Sequence, residues 1–360
     1  MGYSLNAVQA EAVLQALKQN YSVYAPKRFP KQGRYSDTDV IRYAEVEHYE
    51  DIVWQVKSDY PAKEVLPPIQ QAIFYFTEDE YRASKGPKKP ILILARPCDI
   101  NAQHVQAKIY AGNGGYTDLY YERMREKVKF ALMECNGGDD TCFCVSMGTN
   151  KTDDYSLALK FSDEGVQVQV TDEAFAPYFE GMPQAGYTPA FVEENELKVT
   201  VPDLDDKAVR LALKSHPMWK EFDGRCISCG ACTVACSTCT CFTTRDVIYG
   251  DNPEVGERRR ITASCQIAGF DLLPGKGLHR HGRRHELQKQ GRGQDALQGA
   301  PQVPRLQGPL RRGPHVRGLR PVHPPLPGAH LHFRHRQQGQ RRRERDQGRP
   351  GPAVRRRGTK

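Results

Sequence analysis

The chain has 360 residues, of which 52 are basic, 43 are acidic and eleven are cysteine, a length that suggests two domains. Its charge is divided unevenly: 22 basic but only 4 acidic residues fall in Leu272–Lys360, so the preceding residues are acidic overall. No apolar run approaches the roughly 18 residues of a membrane-spanning helix, and the first residues lack a signal-peptide pattern. We therefore expect a cytoplasmic protein without membrane segments, whose clustered cysteines bind metal or carry redox chemistry rather than form disulfides.

Hydrophobic periodicity predicts alternating helices and strands over residues 1–202. Ser4 precedes an amphipathic first helix that ends beyond Leu17, and Ile91–Ala95 is continuously apolar, as a buried strand is. Asp99 is placed to cap the helix after that strand. The other predicted elements are strands at 21–25, 40–46, 52–56 and 128–133, a hairpin of strands at 155–161 and 166–170, and helices at 64–76, 118–126 and 205–215. This alternation favours an α/β or α+β N-terminal domain.

The segment CISCGACTVACSTCTC contains six cysteines in sixteen residues. Its first four cysteines have the bacterial ferredoxin spacing C-x2-C-x2-C-x3-C; they are Cys226, Cys229, Cys232 and Cys236. A cubane cluster needs several thiolates close together, and two-residue gaps that include Gly230 allow one tight loop to supply three of them. We expect Cys236 at a helix start and pointing away, because the fourth cysteine of such a run binds the other cluster in two-cluster proteins. The run therefore predicts a [4Fe–4S] site.

Two alternatives to an iron–sulfur site follow from the same residues. Structural zinc sites usually use two ligand pairs separated by a dozen or more residues, so four cysteines within eleven residues fit zinc less well. The second alternative is that these cysteines bind no metal at all. Three further cysteines are either spare ligands or ordinary buried thiols: Cys239, Cys241 and Cys265. Cys239 and Cys241 are candidate substitutes for a missing cluster ligand.

Four segments together resemble the iron–sulfur subunit of anaerobic sulfite reductase, an enzyme that reduces sulfite to sulfide. They are CISCGACTVACSTCTCFTT, GERRRITASCQIAGFD, LILARPCDI and ECNGGDDTCFCVSMGTNKT, and the resemblance spans about Tyr3–Asp271. More distantly, the chain resembles the iron–sulfur β subunit of NAD(P)-linked sulfhydrogenases. One departure is Ser237, where such runs usually carry proline, and this removes no ligand.

The resemblance implies a non-catalytic, electron-transferring subunit. Electrons would pass from an NADH- and flavin-binding subunit to a sirohaem-binding subunit. A small helical ferredoxin-like domain that holds two [4Fe–4S] clusters would follow the α/β domain, and residues 203–271 would form its first half. The second cluster implies a further C-x2-C-x2-C-x3-C-P run about eighty residues after the first. No cysteine follows Cys265, so we expect the chain as written to bind at most one cluster.

The basic segment Leu272–Lys360 contains no Cys, Ile, Met, Ser, Asn, Tyr or Trp. Such a composition cannot bury enough apolar surface to offset chain entropy, which predicts disorder. One interpretation is a nucleic-acid-binding tail, and with a zinc site this gives an alternative of another class, a zinc- and nucleic-acid-binding module. The tail lacks the aromatic residues that stack on single strands. A GC-rich gene translated out of frame has the same Arg, Gly, Pro and His bias.

The genetic code favours the out-of-frame interpretation of the tail. A Val or Leu codon ending in G, followed by a codon starting with C, contains TGC one base along, which encodes cysteine. Four residue pairs permit this in one frame, with C-x2-C-x2-C-x3-C spacing and a proline allowed after the last: Val316–Arg317, Leu319–Arg320, Val322–His323 and Leu326–Pro327. We therefore hypothesise a one-base shift in the gene between about Asp271 and Lys276.

A second concentration of cysteines lies in the N-terminal region. Cys135, Cys142 and Cys144 fall in the segment ECNGGDDTCFC and are close enough to form a third metal or redox site. The alternative is that they are small apolar residues packed beneath a loop. Arg96–Asp99, which includes Cys98, follows the apolar strand at the edge where α/β domains bind ligands, and its alternative role is a helix cap with a salt bridge.

Overall fold

A computed structural model of the chain describes residues 1–112, 115–267 and 270. Its strands are β1 Gly2–Leu5, β2 Ser22–Phe29, β3 Val40–Glu45, β4 Gln70–Phe76, β5 Tyr81–Ala83, β6 Ile91–Ala95, β7 Val128–Met133, β8 Leu157–Ser162, β9 Gly165–Val170, β10 Phe242–Ile248 and β11 Gly256–Thr262. Its helices are α1 Ala7–Asn20, α2 Pro97–Gly112, α3 Leu119–Arg125, α4 Lys207–Lys214, α5 Trp219–Arg225 and α6 Ala231–Ala235, with 3-10 helices at Tyr49–Asp51, Ala62–Val65 and Glu173–Phe179. Of the helices in these residues, none has the length and apolar character needed to cross a bilayer. The predicted disorder and frame shift of Leu272–Lys360 lie outside the described residues.

A seven-stranded sheet organises the N-terminal part of the chain, with the strand order β1-β9-β8-β7-β6-β2-β3. Strands β2, β6, β7 and β8 run parallel, and β1, β3 and β9 pair antiparallel at the edges. The predicted buried strand Ile91–Ala95 is confirmed as β6, and all of its residues are buried. Because β6 and β7 are parallel, their carboxyl ends lie at the same edge of the sheet, where Cys98 and Cys135 follow them.

The sheet separates two hydrophobic cores. Leu92 and Leu94 pack on one face with residues of α1, such as Leu14. Ile91 and Ile93 point to the other face and pack with residues of α2 and α3. Each fully buried side chain of this size contributes roughly 1.5–3 kcal/mol. Helices on both faces explain why β6 is apolar throughout, and the predicted mixed α/β fold of this region is confirmed.

A second sheet joins two distant parts of the chain, in the antiparallel order β10-β11-β4-β5. Strand β11, which follows the cysteine run, pairs with β4 from Gly256↔Phe76 to Ile261↔Gln70. The predicted helix at 64–76 is therefore wrong: only its first residues are helical, and the chain continues as a strand after Pro67–Pro68. Cross-strand pairing with β11 and β5 overrides the local pattern, which is rich in aromatic residues. The segments on either side of the predicted domain boundary at residue 202 thus share a sheet.

Three smaller predictions are wrong. Helix α1 begins at Ala7 and is capped by Asn6 in a capping box, whereas Ser4 belongs to β1. Residues 52–56 form no strand. Asp99 lies in the first turn of α2 rather than at its cap. The remaining predicted strands and helices are confirmed, with ends that shift by up to four residues.

Candidate iron–sulfur site

The cysteine run occupies the tight loop between α5 and α6 and the turn that leads into β10. Ser228 and Gly230 have φ angles of 55° and 74°, a left-handed conformation that favours glycine. A Cβ atom at Gly230 would also come within 3.1 Å of Ser264 and Ile267, so the loop packs closely against the residues after β11. Three thiols of this loop and helix are exposed to solvent: Cys226, Cys229 and Cys232. Exposed thiols on one short loop are the donor set that an iron–sulfur cluster needs.

Cys236 differs from these three cysteines. Helix α6 ends at Ala235, and the Cys236 N–H donates to the Cys232 carbonyl, 3.0 Å away, so the predicted position at a helix start is wrong. The Cys236 thiol is half-buried and lies 3.3 Å from Thr238 Oγ1. Its assignment to a second cluster stays a prediction.

The zinc interpretation has no preformed site in this part of the chain. Among the described residues, no three Cys, His, Asp or Glu side chains converge closely enough to enclose one metal ion. Zinc binds thiolates at about 2.3 Å, whereas a cubane spreads its thiolates over four iron atoms. A zinc site would therefore require the loop to rearrange.

A buried lysine from the α/β domain anchors the end of α6. Lys63 is 4% exposed, and its ammonium donates to the carbonyl oxygens of Thr233 at 2.5 Å and Cys236 at 2.8 Å. Carbonyls at a helix end lack intrahelical partners, and Lys63 supplies them. Burial lowers the pKa of the Lys63 amine, and the nearby thiols of Cys239 and Cys236 oppose that shift. Lys63 therefore places a positive charge against the backbone of the cysteine run.

Helix α2 supports the turn that follows. Gln106, which is fully buried, donates through Nε2 to the carbonyl oxygen of Ser237 at 3.0 Å. The Tyr110 hydroxyl donates to the carbonyl oxygen of Thr240 at 3.3 Å. Sequence patterns did not single out Lys63, Gln106 or Tyr110, because each is an ordinary residue whose role comes from a contact more than 100 positions away in the chain.

Cys239, Cys241 and Cys265 form a second group of thiols beside Lys63. The Cys241 thiol makes hydrogen bonds with both of the other thiols. Its hydrogen bond to Cys239, aided by the charge of Lys63, lowers the pKa of Cys239, although burial opposes the shift. The thiolate is the form of cysteine that binds metal. Cys239 thus has ligand character, and its role as a substitute cluster ligand stays a prediction.

The residues after β6 hold the neighbouring loops. The Arg96 guanidinium donates to the carbonyl oxygens of Trp54 and Val56, both at 3.0 Å. The Asp99 carboxylate accepts a hydrogen bond from the Tyr43 hydroxyl at 3.1 Å, and burial raises the pKa of Asp99. These contacts favour the structural interpretation of Arg96 and Asp99, although through hydrogen bonds rather than the expected cap.

Comparison with known proteins identifies the cofactor. A family model described as a 4Fe-4S dicluster domain matches residues 225–294, a range that contains the whole cysteine run. The chain is also 26% identical over 254 residues to sulfhydrogenase 2 subunit beta of Pyrococcus furiosus. The aligned region covers 64% of this chain and 70% of that protein. The chain therefore carries a 4Fe-4S dicluster domain, and its predicted [4Fe–4S] cofactor is confirmed. Its ligand residues and the number of clusters bound stay predictions.

Replacing Lys63 with methionine is expected to lower the reduction potential of the cluster held by the cysteine run. A bound [4Fe–4S] cluster would gain one negative charge on reduction, and the Lys63 ammonium would stabilise that charge. Losing roughly 1–2 kcal/mol of this stabilisation would lower the potential by on the order of 40–90 mV for one electron. A redox titration followed by electron paramagnetic resonance measures the shift.

The control for this substitution is Lys129→Met. Lys129 is a half-exposed lysine on β7 that pairs with Asp172. We expect its cluster potential to equal that of the unmodified protein. A Lys63→Met protein with full iron content and an unchanged potential would contradict the assigned role of the lysine.

Proposed function

We propose that the protein is an iron–sulfur electron-transfer subunit of a multisubunit oxidoreductase. The observation that carries this proposal is the 4Fe-4S dicluster match over a cysteine run that exposes the thiols of Cys226, Cys229 and Cys232. A cluster on those thiols lies at the protein surface, where it can exchange electrons with a partner. Lys63 would place a positive charge near the cluster, and residues of α2 hold the backbone of the turn after Cys236 by hydrogen bonds.

The complex to which this subunit belongs is either a hydrogenase or a sulfite reductase, and the observations favour the hydrogenase. The named relative is a sulfhydrogenase β subunit, which favours a hydrogenase-linked electron carrier over the sulfite reductase component that the motifs resemble more strongly. In both cases a flavin- and NADH-binding partner would sit at one end of the electron path. The other end would be a nickel-bearing partner in the hydrogenase, or a sirohaem-bearing partner in the sulfite reductase.

Purification of the tagged chain from its native cells separates these two assignments. We expect a nickel-containing subunit to co-purify, detected by metal analysis of the complex. A co-purifying subunit with the absorption spectrum of sirohaem and no nickel would instead establish the sulfite reductase assignment.

The cluster itself is tested by replacing its proposed ligands. The protein purified without oxygen is expected to be brown and to contain iron and acid-labile sulfide. A triple variant with serine at Cys226, Cys229 and Cys232 is expected to lose about four iron atoms per chain. Ser237→Ala, which changes the same turn without removing a thiol, serves as the control and should keep its iron. A colourless parent protein with stoichiometric zinc and no sulfide would overturn the proposal in favour of a zinc module.

A further inference from the structure

We propose that the α/β domain binds an additional iron–sulfur cluster through four thiolates, Cys98, Cys135, Cys142 and Cys144. This site lies outside residues 225–294, the range of the dicluster domain, and it does not depend on which complex the protein joins. Each thiol would bind iron as a thiolate and release its proton to solvent.

The topology of the sheet brings the four thiols together. Cys98 follows β6 and Cys135 follows β7, and these parallel strands end at one edge of the sheet. The loop after Cys135 then returns Cys142 and Cys144 to the same edge. Burial raises the pKa of the Cys98 and Cys144 thiols, and the nearby thiol of Cys135 raises both further, as Cys144 does for Cys98 and Cys142 does for Cys144. None of the four cysteines forms a disulfide; the residue Cys98 is exposed, and the other three are half-buried.

The loop is folded around Cys142. Gly137 and Gly138 have φ angles of 105° and 81°, and a Cβ atom on Gly138 would lie 3.0 Å from Cys142 Sγ. The backbone N–H of Asp139 donates to Cys142 Sγ at 3.4 Å. Backbone N–H groups that donate to cysteine sulfur are among the features that set the potential of iron–sulfur clusters. Gly138 thus allows a close approach of backbone and sulfur that a Cβ atom would crowd.

A buried asparagine orients the last thiol. Asn195 is 5% exposed, and its Oδ1 accepts hydrogen bonds from the Val145 N–H at 2.8 Å and from the Cys144 thiol at 3.4 Å. Iron binding would remove the thiol proton and with it the hydrogen bond from Cys144, whereas the bond from the Val145 N–H would keep Asn195 beside the ligand.

Two cations face the group. The Lys57 ammonium lies 3.0 Å from Thr141 Oγ1 and 3.1 Å from a carboxylate oxygen of Asp139, within the loop itself, and its charge acts on Cys142. The charge of Arg96 acts on Cys98. Burial raises the pKa of the Cys98 and Cys142 thiols, and the carboxylates of Asp99 and Asp139 add to this shift, whereas Arg96 and Lys57 oppose it. On the bound cluster the two cations would offset part of the negative charge of four thiolates.

The four thiols do not form a ready site for a single metal ion. In the described part of the chain, no three metal-binding side chains converge on one ion position. Sets of four cysteines hold both [2Fe–2S] and [4Fe–4S] clusters, which spread their thiolates over several irons. The four cysteines therefore fit a cluster better than zinc.

The test uses the full-length chain with serine at Cys226, Cys229, Cys232 and Cys236, reconstituted without oxygen with ferrous iron and sulfide. We expect about two to four iron atoms and an equal amount of sulfide to remain per chain. Adding alanine at Cys98, Cys135, Cys142 and Cys144 should abolish this binding. The matched control adds alanine at Cys239, Cys241 and Cys265 to the same background and should keep the iron.

Circular dichroism checks that each variant is folded. Loss of all iron in the first, folded variant would overturn the proposal, as would zinc in place of iron or loss of iron only in the matched control. If the serine background does not fold, Cys98→Ala in the otherwise unmodified chain provides the test. We expect it to lose about two to four iron atoms, and an unchanged iron content would equally overturn the proposal.

Discussion

Replacing Asp118 with alanine is expected to lower the free energy of unfolding by about 3–5 kcal/mol, because it leaves a buried guanidinium unpaired. Asp118 pairs with Arg260 on β11, and the two side chains are 17% and 6% exposed. The Arg260 guanidinium also lies over the Phe242 ring, 4.5 Å from its centroid, and 5.8 Å from that of Tyr110. Without Asp118 the charge would remain enclosed by aromatic rings.

Asp118 has a second role that adds to the loss. Its Oδ1 accepts hydrogen bonds from the N–H groups of Tyr120 at 3.1 Å and Tyr121 at 3.0 Å, which caps α3. Loss of such a cap costs roughly 0.5–2 kcal/mol. The residues after β11, Ser264 and Ile267, pack against Gly230 in the loop of the cysteine run. We therefore expect the variant to loosen the attachment of that run to the α/β domain.

Asp246→Ala is the matched control for this prediction. Asp246 pairs with Arg258, two residues from Arg260 on the same strand, and both side chains are about 30% exposed. A pair so accessible to solvent contributes about 0–1 kcal/mol. Denaturant unfolding followed by circular dichroism compares the two variants, and equal losses would show that burial of the Asp118–Arg260 pair does not matter.

Restoring the hypothesised reading frame is expected to raise the iron content by about four atoms per chain. The dicluster match runs past Asp271 to residue 294, yet no cysteine follows Cys265. In the shifted frame a second run would supply four more thiolates, and the fourth cysteine of each run would complete the other cluster. Cys226, Cys229 and Cys232 would then gain the ligand that they lack.

The comparison needs both proteins, one made from the gene as written and one from the gene with the single base restored. Iron and sulfide analysis of oxygen-protected samples measures the difference, and the N-terminal cysteines are identical in both. Resequencing the locus comes first. An uninterrupted frame that encodes Leu272–Lys360 as written, with an intact mass that matches it, would refute the frame shift.

The iron–sulfur chemistry could be predicted from the sequence because its determinants are local. The four predicted ligands from Cys226 to Cys236 lie within eleven residues, and their spacing is set by the covalent order of one short segment. Strand β6 could be predicted for a related reason. A strand covered on both faces must be apolar at every position, and Ile91–Ala95 is the run that meets this condition.

Contacts between distant segments decided the rest. Residues 70–76 have a pattern compatible with a helix, but strand β11, which begins 180 positions after Phe76, provides the partner that makes them β4. The ion pair of Asp118 and Arg260 spans 142 positions, and the bond from Lys63 to Thr233 spans 170. The free energy of such contacts comes from burial and pairing in the folded state. Local sequence therefore determined what the chain can bind, and only the tertiary structure decided which charges and thiols surround the site.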